Sequence, residues 1–189
     1  MRYPLPLMSL AVAVIAPAQA AENVALPVPA FNNVELRGGG DVVLVPGPAQ
    51  RLTVLEGSTA FTRFRVDGSG KLKIDACDDR CPQHYRLRIE IQSPRVPPVA
   101  VMGGGEIRAA AGFAPQSEVA AGVAGGGKID LRAVDASTAA AGVNGGGLIL
   151  VRPRLSLAAS VNGGGEVRHW GNPAVTTLIQ GGGNVRRGD

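Results

Sequence analysis

The most reactive side chains of this 189-residue chain are its two cysteines. They lie in the segment Cys77-Asp-Asp-Arg-Cys81, with His84 three positions further on. We expect a disulfide, which is typical of exported proteins and here closes only a short loop. Two alternatives remain open: a metal site with Asp78, Asp79 and His84, and a redox pair with one residue more than the C-x-x-C spacing. No second cluster completes a four-ligand set, so we predict no metal and no cofactor.

The spacing of the acidic and nucleophilic residues along the sequence does not indicate a catalytic site. Glu106 and Glu166 stand at equivalent positions of a repeated motif, yet no paired carboxylates stand out in the sequence. The glycine triplets lack the spacing of a phosphate-binding loop, and no aspartate recurs at the fixed offset of calcium-binding repeats. We therefore predict that the chain is not an enzyme. The alternative is a carbohydrate-acting β-helix enzyme, although a fold does not license a function.

Four side chains are candidates for a contact surface. His169 and Trp170 are adjacent, and an exposed tryptophan can stack on a sugar ring, anchor an interface or pack a coil. Leu148 and Leu150 interrupt an otherwise charged face. They are either scattered surface leucines or a contact surface for a partner or a second copy.

These residues must be positioned by a motif that occurs six times. Its template is aliphatic-x-Gly-Gly-Gly-x-(Val/Ile), with triplets that begin at Gly38, Gly103, Gly125, Gly145, Gly163 and Gly181. The aliphatic positions flanking each triplet are six residues apart, so on an extended chain both face the same side. Each copy therefore predicts a short strand with one buried face. The glycines either allow a neighbouring strand to approach closely or form a tight corner in which the backbone has positive φ.

The spacing of the copies predicts the architecture. From Gly103 onward the triplets begin 22, 20, 18 and 18 residues apart, which suits one turn of a right-handed parallel β-helix, a solenoid whose stacked turns share one core. We expect Ile107, Ile129, Ile149, Val167 and Val185 to form one buried column. On the outer face, stacking in register would place Glu106 beside Lys128 and Arg108 beside Asp130. The alanine-rich segments between copies are expected to face a crowded interior.

The first half of the chain reads as antiparallel or mixed β structure. A hairpin is predicted over Phe61 to Asp75, with its turn at Asp67-Gly-Ser-Gly, and a further strand over Tyr85 to Ile91. Aromatic residues make up only 4% of the chain, so the core must be aliphatic. The net charge of +4 is spread without a basic run, which gives no indication of nucleic-acid binding.

The N-terminus predicts export. Residues 1–20 have the pattern of a signal peptide, with Arg2, an apolar core over Leu5 to Ala16, and Ala18-Gln-Ala20 as a cleavage site. Residues 21–30 are expected to form a linker and 31–189 a single β domain, divided into strands and hairpin (31–100) and glycine-triplet coils (101–189). No later segment is long and apolar enough to be a transmembrane helix.

Two stretches carry a resemblance to a known family. Phe31-Asn-Asn-Val-Glu-Leu-Arg-Gly-Gly-Gly-Asp-Val-Val-Leu opens the domain, and Arg88-Ile-Glu-Ile-Gln-Ser-Pro-Arg-Val-Pro-Pro-Val-Ala-Val-Met-Gly-Gly-Gly-Glu-Ile follows the Asp67-Gly-Ser-Gly-Lys-Leu-Lys-Ile turn. This order resembles the bacterial head GIN domain family, labelled "putative autotransporter adhesin", from about Phe31 to the end. The resemblance implies a right-handed parallel β-helix in an exported bacterial protein, without established catalytic residues. The cysteine loop and the regularity of the triplets depart from the family pattern.

The sequence thus predicts an exported, non-catalytic β-solenoid, an adhesin-like binding or structural module of the periplasm, cell surface or extracellular space. Its expected partner is a protein or glycan of the envelope. An envelope-stress or assembly factor acting through protein contacts fits the same features. Because little chain follows Val185, we expect the last coil to be covered by self-association or protected by Arg186 and Arg187.

Overall fold

The computed structural model of the protein describes residues 23–77 and 81–189, which form strands and contain no helix. The strands in chain order are β1 (Val24–Leu26), β2 (Asn33–Gly38), β3 (Asp41–Pro46), β4 (Arg51–Glu56), β5 (Thr62–Val66), β6 (Lys71–Ala76), β7 (Arg88–Ser93), β8 (Val99–Gly103), β9 (Glu106–Ala109), β10 (Gln116–Gly125), β11 (Lys128–Asp130), β12 (Ala136–Gly145), β13 (Leu148–Val151), β14 (Pro153–Asn162), β15 (Glu166–His169), β16 (Ala174–Gln180) and β17 (Asn184–Arg187). The predicted all-β class is confirmed. A helix able to cross a membrane is therefore not found in the described segments.

The N-terminal predictions are only partly covered by these residues. The predicted signal peptide, residues 1–20, lies outside the described residues, as do the first two residues of the predicted linker. Within that linker, Val24–Leu26 is not a loose lead-in, because it pairs antiparallel with β4.

Two mixed sheets face each other across the aliphatic core. One has nine strands in the order β1-β4-β7-β3-β9-β11-β13-β15-β17, and the other has eight in the order β16-β14-β12-β10-β8-β2-β6-β5. Each glycine triplet joins a strand of the eight-stranded sheet to a strand of the nine-stranded sheet. We call such a pair of consecutive strands a rung. The core lies between the sheets and is filled mainly by Val, Ile, Leu and Ala.

Successive rungs pair in parallel, with each template copy beside the next. Ile107 pairs with Ile129, which pairs with Ile149, and the series continues through Val167 to Val185. The first four have no exposed surface, and Val185 is partly buried against the same core. The predicted column is confirmed, because the even spacing of aliphatic residues turns both positions of every copy to one side.

The glycines of a triplet have different tasks. The first has positive φ, with values of 124°, 115° and 120° at Gly103, Gly125 and Gly145. The third allows close stacking: a Cβ atom on Gly127 would lie 2.7 Å from the carbonyl oxygen of Gly105. A Cβ atom on the second, such as Gly126, would meet nothing within 4 Å. Both interpretations from the sequence are correct, and the first glycine meets both, since a Cβ atom on Gly125 would lie 2.8 Å from the Gly103 carbonyl oxygen.

The rungs do not stack in the order in which the chain makes them. The β2/β3 pair lies between β8/β9 and a further pair, β6/β7, that has no glycine triplet. In that additional pair Ile74 lies beside Leu36, and Ile89 lies beside Val42, so the two aliphatic positions are retained. The cysteine loop stands where the triplet would be, which is why the glycine template did not reveal this pair.

The antiparallel part of the fold caps the first end of the stack. Strand β4 pairs antiparallel with β1 and β7, and β5 pairs antiparallel with β6, which confirms the predicted hairpin and the mixed N-terminal region. The Asp67 carboxylate accepts the N–H groups of Ser69 and Lys71 in its turn. The predicted strand at Tyr85 starts later, at Arg88.

Candidate functional site

The outer face of the nine-stranded sheet carries a row of charges set by the rung register. The Nζ atom of Lys128 lies 2.8 Å from Oε1 of Glu106, as predicted. Arg108 also lies beside Asp130, as predicted, but the ion pair of Asp130 is made with Arg132 at 2.6 Å. Arg132 lies in the turn that follows β11, two residues after Asp130, and contacts the carboxylate with both its Nε and Nη2 atoms.

Glu166 is held on this face by two arginines. Arg168 donates a hydrogen bond to its Oε2 atom at 2.8 Å, and Arg186 from the last rung donates to Oε1. The hydrogen bond from Arg168, aided by that from Arg186, lowers the pKa of Glu166 to about 2. Glu166 is therefore ionised throughout the physiological range and is not poised to give up a proton.

Glu106 and Glu166 do not form a catalytic pair. Lys128 and Leu148 stand between them in register, so they are three strand spacings apart. Three spacings amount to about 14 Å, whereas the paired carboxyls of glycosidases lie roughly 5–9.5 Å apart. Each of these glutamates is also held by a basic side chain.

The two candidate leucines do not form an exposed patch. Leu148 is half-buried, and only 5% of Leu150 is exposed. The prediction that Leu150 faces solvent is wrong. In register it stands between Asp130 and Arg168, and the stem of a flanking arginine can cover apolar surface.

His169 and Trp170 lie beside the last rung. The guanidinium carbon of Arg132 is 4.9 Å from the Trp170 ring centroid, and the indole N–H donates to the Asp189 carbonyl at 3.0 Å. A Cβ atom on Gly188 would overlap the ring. Trp170 thus packs the end of the coil while remaining half-exposed.

His169 is half-buried next to this tryptophan. Its burial lowers the pKa of the imidazole, and the neighbouring charge of Arg187 acts in the same direction. The Nδ1 atom is buried without a hydrogen-bond partner among the described residues. His169 is therefore neutral at pH 7.

Cys77 and Cys81 are joined by a disulfide, with their Cα atoms 5.7 Å apart. The bond closes the loop that replaces a glycine triplet between β6 and β7. Asp78 and Asp79, which the metal alternative requires, lie outside the described residues. Within residues 23–77 and 81–189, three or more metal-ligating side chains do not cluster anywhere.

A second surface, which the sequence did not single out, covers the outside of the eight-stranded sheet. Its central residues are Ala100, Gly122, Gly142 and Ser160, which lie side by side in register. We call these four residues the small-residue face. They are shared by two adjoining shallow cavities of about 570 and 440 Å³. The alternation of the alanine-rich strands is the signal that could have revealed it, because every second small residue points outward and not into the core.

The first end of the small-residue face carries buried charge. Glu35 is 5% exposed and contacts Lys71 Nζ at 3.0 Å and Arg37 Nε at 2.5 Å. Burial raises the pKa of Glu35, but hydrogen bonds from Lys71 and Arg37 outweigh it and the net pKa is lowered. Leu178, 62% exposed, lies at the opposite end of the face.

Comparison with known families identifies part of this stack. Residues 99–173 match the model of the family described as "Putative auto-transporter adhesin, head GIN domain". This segment of the chain is therefore similar to the head GIN domain family. The resemblance predicted from the sequence is confirmed for this segment, which begins at β8 and includes the four residues of the small-residue face. The GIN domain segment also contains all four candidate contact residues, from Leu148 to Trp170.

The fold is similar to that of a solved structure. The crystal structure of a "putative adhesin" from Bacteroides fragilis gives a TM-score of 0.56 at 16% identity, over 92% of this chain and 99% of that chain. Structures of "putative adhesins" from Parabacteroides distasonis and Parabacteroides merdae give TM-scores of 0.44 and 0.43, both at 15% identity. Those two matches cover 88% and 89% of this chain and 96% of each of the others. The comparison with curated proteins found no match.

Proposed function

We propose that this chain is an exported, non-catalytic, adhesin-like module that binds a protein or glycan of the cell envelope. The observation that carries the proposal is the match of residues 99–173 to the head GIN domain. In this segment parallel rungs present two regular outer faces, one charged and one small and apolar. Regular faces of this kind suit recognition of an extended partner by surface contact.

The lowered pKa values of three carboxylates support a binding function and not glycoside hydrolysis. Burial raises the pKa values of Glu35 and Asp130, but hydrogen bonds from neighbouring basic side chains outweigh it, so the pKa values of Glu35, Asp130 and Glu166 are all lowered. A glycosidase needs a general acid whose pKa is raised, so none of these three is suited to that role. Their basic partners hold them in ion pairs that stabilise the stack.

The small-residue face is the surface on which we place the ligand. Its four central residues project little, so an extended chain could lie across several rungs in van der Waals contact. A bulky substitution there would lift the ligand away without disturbing the core. A Cβ atom on Gly122 would meet nothing within 4 Å, so Gly122→Gln should fold normally.

Binding to glycan arrays and capture from the envelope fraction test the proposal. We expect Gly122→Gln to weaken binding at least about tenfold, since it obstructs the face. Gly126→Gln is the matched control, because Gly126 is equally open but lies in a rung turn. Release of reducing sugar from a bound glycan would support the enzyme alternative. Equal loss in both variants would place the ligand elsewhere.

Export is part of the same proposal. A signal peptide over residues 1–20, cleaved before Ala21, would deliver a single β domain that includes strand β1 as well as residues 31–189. The N-terminal sequence of the protein recovered from culture medium or periplasm should then begin at Ala21. A mature chain that retains Arg2 would contradict this.

We further infer that the rungs form a right-handed parallel β-helix. Support comes from the parallel pairing of every copy with the next, together with the strong preference for right-handed connections between parallel strands. A crystal structure of the exported chain tests the handedness, and left-handed connections would contradict the inference.

A further inference from the structure

The final rung exposes residues that belong to the interior of the coil. Val175 and Ile179 of β16 are 41% and 42% exposed, whereas their neighbours in register on β14, Leu157 and Val161, are each 1% exposed. Strand β16 is the terminal strand of its sheet. Among residues 23–77 and 81–189, none forms a strand on its outer edge. The open end therefore displays both apolar side chains and free backbone groups.

The backbone direction on this edge can be assigned. The Gly163 N–H donates to the Gln180 carbonyl at 2.8 Å, so the Gln180 backbone faces β14. Backbone groups alternate direction along a strand. The N–H and C=O groups of Val175, Thr177 and Ile179 therefore point away from the sheet, toward any strand that might be added.

The sequence of β16 is complementary to itself in the antiparallel sense. With Thr177 on a two-fold axis, Val175 would face Ile179 of a second copy, and Thr176 would face its Leu178. Inward-facing residues then meet only inward-facing residues. The residues with free backbone groups also face each other, which gives hydrogen-bonded pairs at Val175, Thr177 and Ile179. A single register therefore matches the side-chain faces of the two strands and also pairs their free backbone groups.

The opposite end of the stack is unsuited to a head-to-tail contact. It ends in β1, only three residues long, and in β5, which carries Arg63 and Arg65. Short strands and charged side chains are typical of edges protected against strand addition. Contact between two identical C-terminal ends closes after two copies, whereas head-to-tail contact would extend without limit.

We propose that two copies of this chain associate through β16, in an antiparallel and two-fold symmetric pair that continues the eight-stranded sheet across the dimer. The seven residues of β16 span about 23 Å, and a two-sheet end is roughly 20 Å thick with its side chains. The pair would bury about 900 Å² in total, below the size of a standard stable interface. The dimer is accordingly weak, with a dissociation constant on the order of 10–100 µM.

Disulfide trapping tests the register directly. In a hydrogen-bonded antiparallel pair the two Thr177 Cα atoms are about 5.5 Å apart, within the range that a disulfide spans. Thr177→Cys should form a covalent dimer under mild oxidation. Gln180→Cys is the control, because in this register the two copies of residue 180 lie about 20 Å apart. Equal crosslinking of both variants, or of neither, would overturn the proposal.

Sedimentation equilibrium of the exported chain measures the association without crosslinking. Thr177→Lys places two like charges on the axis and should raise the dissociation constant at least about tenfold. Thr138→Lys adds the same charge on the outer face two strands away from β16, and it should change the dissociation constant no more than about threefold. A strict monomer at 1 mM, or a dimer that both lysine variants leave unchanged, would contradict association through β16. Circular dichroism of each variant establishes that it is folded.

Discussion

The Nζ atom of Lys128 lies 2.8 Å from Oε1 of Glu106, although the two residues are 22 positions apart in the chain. Their strands pair in parallel, with Ile129 beside Ile107 on the inner side of the same two strands. A single register therefore sets both the outer ion pair and the inner column. The following predictions test that register and the contacts that maintain it.

The glycine triplets should respond differently at their second and third positions. Gly127→Ala brings a Cβ atom to 2.7 Å from the Gly105 carbonyl oxygen, and it also overlaps Val101. We expect a loss of about 1–3 kcal/mol in the free energy of unfolding. Gly126→Ala is the control and should change stability by less than about 0.5 kcal/mol. Urea denaturation measures both, and equal losses would show that the third glycine is not a stacking position.

The buried column should weaken toward its end. Val167 is fully buried, whereas Val185 in the next rung is only partly buried. Val167→Ala should lower the free energy of unfolding by about 2 kcal/mol, since it leaves a cavity. Val185→Ala removes the same two methyl groups from the open end and should cost less than about 1 kcal/mol. Thermal denaturation compares the two, and a larger loss for Val185→Ala would mean that the end is covered.

Stability should fall with acidity as Glu166 is protonated. The pKa of this carboxyl is lowered from its ordinary value of 4.5 to about 2, first through the hydrogen bond from Arg168. Its contribution is thus fully present above pH 4.5 and is lost as the pH falls toward 2. Glu166→Gln should flatten this part of the profile of melting temperature against pH. Glu118→Gln removes a charge from an exposed position and should leave the profile unchanged.

The hydroxyl group of Tyr85 should stabilise the base of the stack. It lies 2.6 Å from Oγ1 of Thr62, accepts the N–H of Ser58 and donates to the Ser58 carbonyl. Thr62 is buried, so Tyr85→Phe should cost about 1–3 kcal/mol by leaving its hydroxyl without this partner. The double variant with Thr62→Val should lose less than the sum of the two single variants. Strict additivity in equilibrium unfolding would argue against a direct coupling.

The disulfide should contribute modestly. Cys77 and Cys81 close a short loop, for which the loss of chain entropy in the unfolded state amounts to about 2 kcal/mol. The double variant Cys77→Ser/Cys81→Ser should therefore remain folded, with the same circular dichroism spectrum and a lower denaturation midpoint. A complete loss of structure would mean that this loop is essential for forming the β6/β7 pair.

Much of the stack could be predicted because its signal is local. Each copy of the template carries its own inward pair, such as Val123 and Ile129, and the alternation of side chains dictates their common side. The disulfide was equally local. The β6/β7 pair was missed because its cysteine loop replaced the glycines, although Ile74 and Ile89 retained the inward positions.

The outer surfaces were predicted less well, because exposure depends on neighbours from other rungs. Leu150 appeared exposed by its alternation, but it is covered in a sheet where Asp130 and Arg168 flank it. Arg108 was placed correctly beside Asp130, yet Arg132 holds that carboxylate from a position only two residues away. The strand register determines which backbones are adjacent. The side-chain rotamers determine which of several nearby basic residues forms the ion pair with the carboxylate.

By itself, the sequence determined the all-β class, the parallel column of aliphatic residues and the resemblance to the head GIN domain family. These follow from residue types that recur at regular positions. The tertiary structure alone decided that β2/β3 stacks between pairs made much later in the chain. It also decided that small residues from four rungs form one outer face, and that β16 is left open. The physical reason is that pairing between distant strands depends on which edges remain free once the others have paired, and that information is not carried by any single segment.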